Sequence, residues 1–128
     1  MTESSEQRAI VAWFREKYSE HSSALRVSPG GFDFGYGAKA ARKYRQMQSQ
    51  GFQKGESDLV ICLPRGGFGS LIIEHKGADQ ARKLTAEQSK YLEYHRRIGN
   101  MAECTRGIEE AQRVIESYMS LEGTNFGD

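Results

Sequence analysis

The chain reads as an α/β sandwich, a mixed β-sheet flanked by helices. Three observations lead there. Apolar residues recur at helical spacing near both ends of the chain, as in Ile10, Phe14 and Tyr18 and again in Ile108, Ala111, Ile115 and Tyr118. Two runs of aliphatic residues, 58–63 and 71–76, flank a glycine-rich connection as paired strands would. The segments follow the order helix, strand, helix, strand, strand, helix, strand, helix, which buries a sheet between helical layers. At 128 residues the chain is expected to form a single domain over 1–128.

Ser4 and Gln7 have capping-box spacing and open the first helix, whose apolar face carries Ile10, Trp13, Phe14 and Tyr18. Glu6 shares that face. As a first-turn acid it complements the helix dipole, the commoner role for such a residue. A short strand over 24–28 puts Leu25 and Val27 inward, and Pro29-Gly30-Gly31 turns the chain. Phe32, Phe34 and Tyr36 then alternate with Asp33 and Gly35. Such an aromatic stripe suits a core or a subunit interface better than base stacking. Gly37 and Gly51 bracket an alanine-rich helix bearing Lys39, Arg42, Lys43 and Arg45.

Pairing Asp58 with Glu74 centres the connection between the two strands on Gly66, where a tight turn is easiest. Val60 then opposes Ile72, and Cys62 opposes Ser70. Opposed side chains stand about 5 Å apart, so the two carboxylates would repel unless a cation with oxygen ligands joined them. Lys76, two residues past Glu74, points to the same face, and His75 to the other. Two acids and an ammonium at neighbouring strand tips are what phosphodiester hydrolysis requires. The rival reading is a strand-end ion pair between Glu74 and Lys76 with Asp58 as a turn residue.

Thr85-Ala86-Glu87-Gln88 is a second capping box, opening a helix that ends at Gly99. In that role Gln88 bonds back to the Thr85 amide. A strand over 101–105 extends the sheet, the last helix follows, and the tail from Gly123 to Asp128 has little to bury and is expected to fray.

Net charge is only +1, but it is unevenly spread. From Gly37 to Lys54 there are five basic residues (Lys39, Arg42, Lys43, Arg45, Lys54) and no acid; from Glu103 to Glu122 five acids outnumber two arginines. A basic and an acidic surface suit a protein that presents one face to nucleic acid, although a solvated helix face explains the basic stretch alone as well. Cys62 and Cys104 lack ligand spacing and read as small buried hydrophobes in a reducing compartment. The three histidines have no zinc spacing. With no long apolar run and no signal-peptide pattern, the expected location is intracellular and cytoplasmic, with no membrane partner and no small-molecule cofactor.

Gly55-Glu56-Ser57-Asp58, followed after sixteen residues by Glu74-His75-Lys76, resembles the PD-(D/E)xK nuclease superfamily, with Ser57 where its members carry proline. More narrowly, Gly51 to Tyr118 resembles the VRR-NUC (virus-type replication-repair nuclease) domain, in its small stand-alone phage-type form. The resemblance implies a restriction-endonuclease-like fold and a metal-dependent DNA endonuclease. Asp58 and Glu74 would bind Mg²⁺, with Mn²⁺ as substitute, aided by the His75 main-chain carbonyl and Glu6; Lys76 would orient the attacking water. Gln88 would lie beside the active site as a further catalytic residue, a role that need not exclude capping. The resemblance also implies branched DNA such as a Holliday junction as substrate, a homodimer, and 5′-phosphate and 3′-hydroxyl products. Alternatives are a structure-nonspecific or restriction-type endonuclease, or a non-catalytic DNA-binding module on the same fold.

Overall fold

In the computed structural model, which describes residues 2–28 and 37–123, four helices accompany a four-stranded sheet of order β1-β2-β3-β4, and the first, third and fourth of them pack against it. The elements are α1 (Glu3–Lys17), a 3-10 turn (Ser19–Ala24), β1 (Leu25–Val27), α2 (Ala38–Ser49), β2 (Leu59–Ile61), β3 (Leu71–Lys76), α3 (Ala86–Arg97), β4 (Met101–Arg106) and α4 (Ile108–Met119). β1–β2 and β2–β3 are antiparallel, whereas β4 runs parallel to β3, as a connection through α3 allows. Pro29-Gly30-Gly31 and the Phe32, Phe34, Tyr36 stripe lie outside the described residues, as do residues 124–128. No helix among the described residues is long and apolar enough to cross a membrane.

Strand alternation divides the core. Leu59, Ile61, Leu71 and Ile73 face α1 and α4, where they pack with Ile10, Phe14, Ala111, Ile115 and Tyr118. Ile72 and Ala102 face the other way and meet Leu92 of α3 in a smaller cluster with Val60, Leu84 and Tyr91. One face of β3 therefore seals the main core, and the other carries a thin apolar patch that gives way to polar chemistry at the strand's end.

The β2–β3 register is the expected one, with Val60 opposite Ile72. Several details differ. Thr2, not Ser4, caps α1, its hydroxyl accepting from the Ser5 amide at 3.0 Å. β2 is shorter than 58–63, and the turn is built on both Gly66 and Gly67 (φ 57° and 86°), with Arg65 and Phe68 paired across them. That pairing is one residue out of step with the strands, so the hairpin tip is irregular. Cys62 is exposed and Cys104 half-buried, because the cluster under α3 ends before it reaches either thiol. Val27 shares Leu25's side of the sheet yet is 40% exposed, on a strand at the edge of the sheet. Gly123 is tied back to Arg65, and the preceding Glu122 carbonyl accepts from the Gly66 amide at 2.8 Å, so the chain is anchored up to that point.

Gly55 fixes how the segment before β2 approaches α3. It has φ +86°, and a Cβ there would lie 2.6 Å from the Glu87 Cβ. Only glycine permits this approach, which sets Ser57 and Asp58 beside the first turn of α3.

Candidate active site

β3 ends in Glu74-His75-Lys76, and its alternation sends Glu74 and Lys76 toward α3 and His75 toward α1 and α4. Asp58, just before β2, is held at this end of the sheet because its Oδ2 accepts the His75 amide at 2.8 Å. Gln88 closes the group from α3. Its Nε2 donates to Glu74 Oε1 at 2.8 Å, while its Oε1 accepts the Thr85 amide at 2.9 Å. Thr85 Oγ1 accepts in turn from the Gln88 amide at 3.1 Å, completing the capping box. Capping and site contact are thus made by opposite ends of one carboxamide. Lys76 Nζ lies 3.4 Å from Gln88 Oε1 and 3.6 Å from Glu74 Oε1.

This leaves Glu74 Oε2 buried with no hydrogen-bond partner among the described residues. An unpartnered buried carboxylate oxygen is costly. Burial first, then the neighbouring charge of Asp58, pushes the Glu74 carboxyl up to about 8, against the pull of Lys76. Burial raises Asp58 as well, opposed by the His75 N–H, and Glu3 adds like charge to both. At neutral pH the pair needs a proton or a cation.

The donors suit a hard divalent cation. Asp58 and Glu74 offer carboxylate oxygens. The Ser70 and Lys76 carbonyls accept from Met101 and Gly107, on the β4 side. His75 has the opposite parity, so its carbonyl is turned to the side of Asp58. Oxygen-only donors favour Mg²⁺ or Mn²⁺ over softer-ligand metals. Among the described residues no three acidic, histidine or cysteine side chains form a metal cluster by themselves, so the main-chain oxygen matters.

The structure does not bring Glu6 into this group. Its Oε2 accepts the Ala78 amide at 3.0 Å, the contact that chiefly holds its carboxyl below the usual range, and its Oε1 lies 3.1 Å from His75 Nε2. His75 Nδ1 lies 2.9 Å from Thr105 Oγ1. Glu6, His75 and Thr105 form a buried polar chain that ties α1, β3 and β4 together behind the site. The α1 acid whose charge acts on Asp58 and Glu74 is Glu3, which a reading of the sequence alone missed. Glu3 lies three residues before Glu6 in the first turn of α1 and stands against Gly77 at the end of β3. Its signal was that i, i+3 relation to Glu6.

Of the expected nucleic-acid contacts, Lys39, Arg42, Lys43 and Arg45 are exposed on α2, a helix that buries no residue. The charges acting on Asp58 are those of Glu3, Lys76 and His75, and those acting on Glu74 are Asp58, Lys76 and Glu3; none of these belongs to α2. Lys54 lies 3.8 Å from Glu87, beside the start of α3.

No protein-family model matches the sequence, and no curated protein matches it. A solved structure described as "VRR_NUC domain protein" superposes on the chain with a TM-score of 0.77 and 24% sequence identity, covering 98% of this chain and 93% of that one. At that identity the likeness speaks for architecture: the chain has the VRR-NUC fold, a restriction-endonuclease-like α/β sandwich.

Proposed function

We propose that this chain is a VRR-NUC nuclease, a metal-dependent DNA endonuclease. The observation that carries the reading is the orphaned Glu74 Oε2, buried beside Asp58 and left free by a glutamine that holds the other oxygen. Asp58, Glu74 and the His75 carbonyl would hold Mg²⁺ or Mn²⁺, with Glu3 acting on the same centre. When bound, the cation lowers the pKa of a coordinated water and offsets charge on the scissile phosphate.

The remaining work belongs to the chain's own groups. Gln88 fixes the Glu74 rotamer so that Oε2 faces the centre, and the His75 N–H does the same for Asp58. Lys76, a compact ammonium on a half-buried stem, orients the attacking water and stabilises negative charge as it develops. Lys39, Arg42, Lys43, Arg45 and Lys54 supply phosphate contacts that position the substrate without reading its sequence.

We assign branched DNA, such as a four-way junction, as substrate and a homodimer as the acting form. A two-fold dimer sets two sites on symmetry-related strands. The test incubates four-way junction, flap and linear duplex DNA with Mg²⁺ and with Mn²⁺, using wild type and the Asp58→Ala, Glu74→Ala and Lys76→Ala variants. Cleavage lost in all three variants with DNA binding kept supports the assignment. A wild type that binds DNA and never cuts it would be a binding module on the same fold. Nicks without symmetry would favour a structure-nonspecific endonuclease over a resolvase.

A further inference from the structure

A groove of about 880 Å³ runs along α1 from the site. Its wall on the helix carries Glu3, Arg8 and Arg15, and its opposite wall is Val27 and Ser28 at the end of β1. Asp58 closes one end, so the groove is continuous with the candidate active site. Residues 3 to 15 span roughly 18 Å of helix axis.

Its charges are ordered. Among the described lining residues the acids Glu3 and Asp58 stand at the site end, and the cations Arg8 and Arg15 stand farther along. Neither arginine is paired with a carboxylate among the described residues; Arg8 donates only to Ser4 Oγ at 3.3 Å. Lys17 and Arg82, by contrast, are paired with Glu116 and Glu110. Arg8 and Arg15 are about 10 Å apart along the helix. Val27, 40% exposed, gives that opposite wall an apolar contact of the kind a deoxyribose can cover.

We infer that this groove carries a DNA strand away from the reacting centre, with Arg8 and Arg15 as phosphate contacts distinct from the basic helix α2. The inference rests on the nuclease reading and adds the path of the substrate. Two guanidinium groups without a carboxylate partner among the described residues, facing a groove that ends in two acids, match a polyanion whose scissile phosphate meets a cation at that end.

The test measures binding of a fluorescent four-way junction and a linear duplex in EDTA, where no cleavage occurs, across a salt series. The proteins are wild type, Arg8→Ala, Arg15→Ala, the double variant, Val27→Glu, and Arg113→Ala on the acidic helix α4 as control. Each groove arginine lost should cut the salt slope by about 0.9 and affinity by roughly eightfold at 0.1 M salt. Val27→Glu should weaken binding with both arginines intact, and Arg113→Ala should change nothing. Wild-type binding with unchanged slopes in all groove variants would overturn the groove and leave the nuclease reading standing. A dimer in sedimentation that Val27→Glu dissolves, with DNA affinity unchanged, would make the groove a contact between copies and overturn it too. Absence of DNA binding and cleavage by every version would remove both readings together.

Discussion

Gln88 and Glu74 are joined by a 2.8 Å hydrogen bond between carboxamide nitrogen and carboxylate oxygen, and the same carboxamide caps α3 through its other end. The pair converts a helix start, a feature of local sequence, into a constraint on the buried acid of a neighbouring strand.

That dual use separates stability from chemistry. Thr85→Ala removes the cap and should cost about 1 kcal/mol, a few degrees in Tm, while cleavage stays near wild type. Gln88→Ala should cost as much stability and also lower the cleavage rate at least tenfold, because Glu74 loses its tether. Thermal unfolding and cleavage rates on the two variants decide the matter. Equal loss of activity in both would mean that only the cap counts.

Glu74 should make the metal-free protein less stable as pH rises. Its folded pKa, about 8, lies above the ordinary 4.5, so the folded state holds the proton more tightly. This contribution is full below about 4.5 and is lost as pH climbs through about 8. Urea unfolding in EDTA between pH 5 and 8.5 should show the decline, and Glu74→Gln should flatten it. Mg²⁺ affinity, read by calorimetry, should rise over the same interval, since the ligand must lose its proton. A wild type as steep as Glu74→Gln would assign the slope to other groups.

Glu3 and Glu6 should part company. Glu3→Gln removes charge from the site and should weaken Mg²⁺ binding severalfold with little change in Tm. Glu6→Gln disturbs a buried chain to His75 and the Ala78 amide and should lower stability by about 1–3 kcal/mol. The reverse pattern, in calorimetry and thermal unfolding, would restore Glu6 as a ligand.

Gly55→Ala should destabilise the fold by about 2 kcal/mol or more, combining a positive φ with a Cβ that would meet the α3 backbone and Glu87 side chain. Gly51→Ala is the matched comparison. It also has a positive φ, but nothing lies within 4 Å of its added Cβ, so it should cost about 1 kcal/mol. Similar Tm losses in the two would show that strain alone is at work.

Element order, the Val60–Ile72 register, the shared side of Glu74 and Lys76 and the Thr85–Gln88 cap were all legible in the chain. Each follows from a spacing of a few residues or from the period of a strand, which neighbouring residues carry among themselves. Which acid of α1 stands beside the end of β3 was not legible. Glu3 and Glu6 occupy the same turn, and only the angle at which α1 crosses β3 sends Glu6 to His75 and leaves Glu3 beside Gly77. Thr105 behind the site, the exposure of Val27 and Cys62, and a basic helix that buries nothing have the same origin. A side chain's direction is set locally, but what it meets is set by residues far away in sequence, and that is settled only when the layers pack.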